Sequence, residues 1–558
     1  MVKGFINMLN REINGLHQAA YLLGFFAICS QVLALVRDRI LASQFGAGNV
    51  LDLYYSAFRI PDLLFVTIAS VVSISVLIPF LINRFEKGQE KVKEFIDSVF
   101  SFFFFFMVVS GIVAFFLTPL LMKWIFPVFA QSSSFGELVS LTRILLLSPI
   151  FLGFSNLLAS ITQVHRRFFV YAISPVVYNV GIIFGIIFLY PMFGLQGLGL
   201  GVVLGAFLHF AIQIPLVSSQ KLLPRLRLNF NINTVKEVVF TSIPRTITVS
   251  SNEIAKLFLI SFASLFVSGS IAVFNFSLNL QSVPFSIIGV SYSLAAFPTL
   301  TRLFSGGNVE EFLRQIITST RHIIFWSIPV SILFIVLRAQ IVRTILGAGA
   351  FDWSDTRLTA AALALFVVSL VAQNLSTLFV RSYYSQGKTK APLVMNVLSA
   401  IFIIVSSYIL VQIFETNVIF RNFTESILKV NDIPGTVVLM LPLGFTLGSF
   451  INLMVYWIAF DKQFISFTSS VSRTVFEVFG ASVIMGFVTY KFLSVFDSFF
   501  DINTLYGIFM QGFLSGIIGI LAFVLVLIIL KNRELSEAWN TLHKKFWKAK
   551  VVVPDPEL

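Results

Sequence analysis

The sequence predicts an all-α polytopic membrane protein with fourteen transmembrane helices, on three observations. The 558-residue chain is 57% hydrophobic and only 12% charged, too little polar surface for a soluble protein of that length. Its apolar residues gather into runs long enough for a helix to cross the hydrocarbon core, which takes about 20 residues. The segments between the runs are alternately rich and poor in Lys and Arg, as loops on opposite sides of a membrane are.

The runs lie near 19–36, 51–82, 96–118, 138–160, 169–190, 195–217 and 238–266, then 270–300, 319–337, 357–380, 391–413, 436–460, 474–495 and 506–530. The longest must tilt, bend or project from the bilayer. With a cytoplasmic N-terminus, the inside segments include "NRFEKGQEKVKE", "HRR", "QKLLPRLRLNFNINTVKE", "RSYYSQGKTK" and "KNRELSEAWNTLHKKFWKAK". That asymmetry predicts an N-in, C-in multi-pass protein. The opening "MVKGFINMLNREINGLHQ" reads as an interfacial amphipathic segment over 1–18, with no cleavable signal evident. The net charge of +13 fits cytoplasmic loops beside anionic lipid, with no nucleic-acid partner. The single cysteine, Cys29, lies in an apolar run and excludes a disulfide framework.

The chain repeats itself at a distance of about 220 residues. The stretch ending "VHRRFFVYAISPVVYN" at Asn179 corresponds to the one ending "SYYSQGKTKAPLVMN" at Asn396, so Pro175 pairs with Pro392. "IPFLINRF" around Pro79 matches "FPTLTRLF" around Pro298, and "FGAG" at 45–48 matches "FVSG" at 266–269. Spans one to six therefore recur as spans seven to twelve. Six is even, so the copies are parallel repeats, with a shared site expected between them. The expected organisation is an N-lobe over 19–217, a basic cytoplasmic linker over 218–237, a C-lobe over 238–460, two further helices over 461–530 and a basic tail over 531–558. Such an architecture suits a transporter.

Ionisable residues inside spans cost ~2.5–3.5 kcal/mol each on insertion scales, so they mark cavities or partners. Spans one and two carry Arg37, Asp38, Arg39, Asp52, Arg59 and Asp62; span seven carries Arg245, Glu253 and Lys256; span eight carries Asn275, Asn279 and Gln281. Arg245, Glu253 and Lys256 fall on one broad helix face, and Glu253 and Lys256, three apart, can pair directly. Asn275 and Asn279, four apart, share a face. Arg39 reads as an interface anchor.

"RDRILASQFGAGNVLDLYYSAFRIPDLL" closely resembles the signature of the MurJ/MviN lipid II flippases, within the multidrug/oligosaccharidyl-lipid/polysaccharide exporter superfamily. "IPRT", "FASLFVSGSIA", "VPFSIIGVSYSLAAFPTLTRLF" and "GAGAFDWSDTRLTAAALALF" follow in the family's order. The resemblance implies two six-helix lobes in a V-shaped, alternating-access arrangement, with two C-terminal helices forming a groove for an isoprenoid tail. It implies a lipid-linked glycan as partner beside the membrane lipids: undecaprenyl-pyrophosphate-linked peptidoglycan precursor, moved from the inner to the outer leaflet of the bacterial cytoplasmic membrane. Arg37 matches the family's first-span arginine, Asp52 its acidic residue after the turn, and Arg59 the basic residue before Ile-Pro. Arg245, Glu253, Lys256 and Asn279 complete the expected cavity lining, with Asp38, Gln31 and Asn275 as further candidates. No cofactor is expected; coupling to Na+ or to membrane potential is implied, with Asn396 as a candidate metal contributor. A monomer is expected.

The chain also departs from the family. Gln31 stands where a further Arg is frequent, "LLFVTIASVVSIS" replaces a charged stretch in span two, Asn279 stands for a cavity arginine, and Asp62 rather than Asn follows Pro61. A flippase for another polyprenyl-linked oligosaccharide is the alternative; a cation-coupled drug exporter fits less well, because such exporters usually have twelve spans. No loop carries a constellation for catalysis, so no enzyme is expected.

Overall fold

Charged side chains that find partners need not be expelled into loops, and this decides where the first helix ends. The computed structural model describes residues 16–69, 74–86, 88–165, 167–464 and 467–539. The apolar run stops near residue 36, yet the helix continues unbroken over Leu16–Phe45. Arg37, Asp38 and Arg39 lie inside it, each bonded to a residue far away in sequence. After a turn through Gly46 and Gly48 the chain re-enters helix as Asn49–Ala57, Arg59–Leu64, a π-helical turn Phe65–Ala69, and Ile74–Phe85. Residues 1–15 and 540–558, parts of the expected N-terminal segment and tail, lie outside the described residues.

No strand occurs among the described residues. Ten helices there are long and apolar enough to cross a membrane. They become eleven if Trp353–Val368 and Leu370–Ser385, bent by 41° at their junction, count as one. The three other expected spans are Leu16–Phe45, the segmented stretch 49–85 and Ile232–Ala263, which carry all of the intramembrane charges named above. The repeat is visible in the backbone too. The π turns Phe65–Ala69 and Ser286–Val290 begin 221 residues apart, and each re-aims the side chains that follow it.

The helices pack through small residues, as expected where lipid is as apolar as the side chains and association depends on close contact. Gly181 and Gly185 of Phe168–Phe184 and the turn that follows meet Gly205 and Gly201 of Leu195–Ala211. A Cβ on Gly181 would lie 2.3 Å from the Gly205 Cα, and one on Gly185 2.4 Å from the Gly201 Cα. Large apolar side chains such as Phe116 and Trp124 point outward, toward what would be lipid.

The chain divides into two compact units that interleave in sequence: Met1–Leu280 with Ile345–Ala362 and Thr389–Gly448, and Gln281–Thr344 with Leu363–Lys388 and Ser449–Leu558. The first is built around Leu77, Phe95, Val99, Phe103, Leu157 and Ile161. The second packs Val309–Val336, Phe467–Asp497 and Leu505–Ile529 around Phe325, Val478, Met485 and Phe523.

Two connecting segments are more ordered than their composition suggests. The basic stretch 222–231 is extended and stapled along the first turns of Gln89–Ile125. The buried Asp97 carboxylate accepts through Oδ1 from Lys93 Nζ (2.9 Å) and the Arg225 amide (2.9 Å), and its Oδ2 is ion-paired with Arg227 Nη2 at 3.0 Å. The Ser101 and Ser98 hydroxyls accept from the Arg227 and Asn231 amides, at 2.8 and 3.3 Å, and Lys93 also donates to the Leu223 carbonyl. The segment 414–435, which reads as a long loop, contains the helix Val418–Leu428. Asn417 caps it through the Phe420 amide, and Lys429 closes it in the left-handed conformation.

Candidate functional site

Two polar constructions occupy the first unit, both rooted in the stretch 34–62. In the first, the Arg37 guanidinium forks onto Asp38 Oδ1 through Nε (2.9 Å) and Nη2 (2.8 Å) and reaches Asn179 Oδ1 through Nη1 (3.3 Å). Asp38 Oδ2 accepts from Asn279 Nδ2 at 3.0 Å. Asn179 is itself oriented by donating to the Pro175 carbonyl and the Ser30 hydroxyl. Three helices, Leu16–Phe45, Phe168–Phe184 and Ser270–Phe285, thus contribute to one network. The Arg37 side chain keeps 20% of its surface accessible while Asp38 keeps 4%.

A second group adjoins it. Arg59 pairs with Asp62 at 3.3 Å and donates to the Tyr55 carbonyl; Lys256 pairs with Glu253 at 2.8 Å, as their spacing on Ile232–Ala263 allows. Asp62 lies within electrostatic reach of Arg59, Glu253 and Lys256 together. Tyr54 and Tyr55 are buried and Tyr178 half-buried within reach of Arg37, and Tyr55 lies within reach of Arg59 as well. The Tyr55 hydroxyl has no hydrogen-bond partner among the described residues. Across both groups three cations, Arg37, Arg59 and Lys256, face three carboxylates, Asp38, Asp62 and Glu253. Each cation is already paired but keeps further N–H donors, so an anion entering here either shares its cation with the carboxylate or exchanges places with it. Arginine suits that exchange because its fork accommodates phosphate as well as carboxylate.

Asp52 is placed differently. It is 4% exposed, and its oxygens accept from the Gly269 amide (2.6 Å) and the Ala272 amide (2.9 Å) at the start of Ser270–Phe285. The carboxylate therefore satisfies free N–H groups at a helix N-terminus and presents no oxygen to open space. Around it the backbones nearly touch. Gly269 has φ +94°, and a Cβ there would lie 2.0 Å from the Ala47 carbonyl oxygen; Gly349 has φ +56°, with its Cβ position 2.2 Å from the Ser43 oxygen. The Ala350 amide donates to the Ser43 carbonyl (2.8 Å), the Ala47 amide to Asp355 Oδ2 (3.0 Å), and Arg39 Nη1 to the Ile345 carbonyl (3.1 Å). This construction is a seal between turns.

The remaining candidates separate. Asn275 is buried and donates to the Ile271 carbonyl of its own helix. Gln31 is half-buried on the helix that carries Arg37. Arg245 falls on Ile232–Ala263, but its side chain lies outside the described residues. Asn396 is buried in Lys390–Thr416, and no group of three His, Cys, Asp or Glu side chains suited to a metal occurs among the described residues. Asn179 and the three tyrosines are not among the sequence-derived candidates. The signal for Asn179 was present, as the polar end of the repeated Pro-x-x-x-Asn.

An all-helical membrane fold with ion pairs held among its helices suits a membrane transporter. Solved structures share its fold. A structure described as "Lipid II flippase MurJ, inward closed conformation" superposes with a TM-score of 0.71 at 21% identity, covering 91% of this chain and 98% of that one. An inward-facing multidrug resistance MATE family transporter gives 0.63 at 14%, covering 79% and 96%. The sequence pattern of the family described as "Lipid II flippase MurJ" matches residues 41–511, and the chain belongs to that family. Among its relatives, the probable lipid II flippase MurJ of Buchnera aphidicola subsp. Schizaphis graminum is 26% identical over 514 residues, 89% of this chain and 94% of that one. The Thermotoga maritima relative, a probable lipid II flippase MurJ, is 24% identical over 530 residues, 93% and 97%.

Proposed function

We propose that this chain carries lipid II from the inner to the outer leaflet by alternating access, and that Arg37 is the principal contact of the pyrophosphate. Lipid II flipping is the function its family membership gives it; the assignment of residues is our own reading. The observation that carries it is the Arg37 guanidinium held by Asp38 and Asn179 with a fifth of its surface open. A pyrophosphate oxygen displaces Asp38 from the fork, and Asn279 retains Asp38 through its second oxygen. Arg59 and Lys256, with Arg245 on the same helix as Lys256, supply further positive charge. The isoprenoid tail stays in lipid, so only the head group needs the polar path.

In the same reading the three charge-bearing helices join the eleven apolar ones as fourteen spans. They form two six-helix lobes over 19–217 and 238–460, linked by 218–237. The pair over 461–530 makes a groove for the tail, both termini are cytoplasmic, and the protein acts as a monomer. The even balance of cations and carboxylates, with Asn279 where the family resemblance implies arginine, favours a second reading in which another polyprenyl-pyrophosphate glycan is the cargo. Complementation of a flippase-depleted bacterium, with lipid II sidedness assayed, tests both. Outward movement restored by the parent and lost with Arg37→Ala, at equal expression, is the expected result. An expressed parent that leaves lipid II inside overturns the lipid II reading.

A further inference from the structure

The helix Val418–Leu428 has three faces, and only two are accounted for by protein and water. At 100° per residue, Arg421, Thr424, Glu425 and Leu428 share one sector and are all half-buried. This is the protein side: Glu425 accepts from the Thr436 hydroxyl at 2.6 Å, and the segment that follows the helix is held by Arg357, bonded to both Asp432 oxygens at 2.8 and 2.6 Å. Asn422 and Ser426 form an exposed polar sector. Between these lies a third sector of Ile419, Phe423 and Ile427, exposed at 83%, 63% and 59%. Three large apolar side chains at i, i+4 and i+8, left open on an otherwise well-anchored helix, require an apolar surrounding.

What surrounds them is indicated by what precedes them. The helix starts one residue after Lys390–Thr416 ends, and that helix is apolar enough to cross a membrane. Its outward stripe of Val394, Leu398, Ile401, Val405 and Ile409 is 45–53% exposed, as a lipid-facing stripe must be. The Phe414 and Phe420 rings meet edge-to-face across the junction, 6.4 Å apart. The short helix is therefore packed onto the end of the spanning one, at the level where that helix leaves its apolar run. A helix with protein, water and apolar sectors, placed at that level, has the pattern of an in-plane interfacial helix.

We propose that Val418–Leu428 is such a helix, with Ile419, Phe423 and Ile427 seated among lipid acyl chains just beneath the head groups, at a depth of about 5–10 Å. On the topology proposed above, this is the outer leaflet. The partner is the bilayer itself, and the bonds through Glu425, Lys429 and Asp432 tie it to the turns that follow and to Trp353–Val368.

The test uses the full chain with Cys29→Ser, its one native cysteine removed, in nanodiscs of phosphatidylethanolamine and phosphatidylglycerol. Nitroxide labels on Ile419→Cys, Phe423→Cys, Ile427→Cys, Asn422→Cys and Ser426→Cys are compared for accessibility to oxygen and to a water-soluble nickel chelate. Unchanged melting of each labelled variant confirms folding. The expected result is several-fold preference for oxygen at 419, 423 and 427, reversed at 422 and 426. Nickel access at all five positions overturns the proposal by putting the helix in water. Occlusion from both reagents at 419, 423 and 427 overturns it by showing that protein covers the stripe. Neither outcome bears on lipid II transport, so this proposal and the functional one fail independently.

Discussion

Asp38 and Asp52 are both almost wholly buried, but they are held in opposite ways. Asp52 bonds to two backbone amides at a helix start, in a region where Gly46, Gly269 and Gly349 let backbones approach within contact. Asp38 bonds to two side chains, Arg37 and Asn279. Backbone amides cannot leave without unmaking the turn, whereas side chains can change partners. The first region is therefore a fixed seal and the second an exchangeable network, and the difference separates residues that hold the fold from residues suited to meeting cargo.

The seal should be the easier to break. Gly269→Val forces a β-branched residue into positive φ, costing ~1–2 kcal/mol, and drives a Cβ into the Ala47 carbonyl, adding about 1–3 kcal/mol of overpacking. It should give the largest loss of thermal stability in detergent; a variant that melts with the parent would refute the close approach. Asp52→Ala leaves two amides unsatisfied and should cost about 1–3 kcal/mol, with head-group affinity per folded molecule unchanged. A selective loss of affinity would move Asp52 into the binding network.

Asp38→Asn should do the reverse, changing stability less and binding more. With its neutralising partner gone, Arg37 should hold pyrophosphate lipid more tightly, by several-fold in vesicle binding, while Arg37→Ala weakens it. Equal effects of Asp38→Asn and Asp52→Ala on that binding would remove the distinction drawn between the regions. The smallest effect is expected at Asp432, where hydrogen bonds from Arg357 hold the exposed carboxyl below the usual carboxylate range. That contribution is fully present above the ordinary carboxylate pKa of about 3.9 and is lost as pH falls through the depressed folded value. On acidification through that window the parent should lose slightly more melting temperature than Asp432→Asn, whose side chain does not titrate.

The sequence made the apolar helices, the repeat and the Glu253–Lys256 pair legible, because each depends on residues a few turns apart or on a pattern that recurs. Arg37 stood out as a charge at the edge of an apolar run. Its partners did not: Asn179 and Asn279 lie far along the chain, and nothing local marks which polar residue meets which. Asp52 was read by its charge, but its place is set by amides more than two hundred residues away. Asp97 was passed over for the same reason. It is the second residue of an apolar run, close to Ser98 and Ser101, and its distant partners Arg225 and Arg227 come from a segment whose basic composition suggested only a solvated linker.

That segment has a mechanical consequence. Free in solution, a tether of ten residues lets its ends wander by ~15–20 Å. Bonded to Asp97, Ser98 and Ser101 at successive points, residues 225–231 have no such slack. Any displacement of Gln89–Ile125 would therefore carry the start of Ile232–Ala263, the helix of Glu253 and Lys256, along with it.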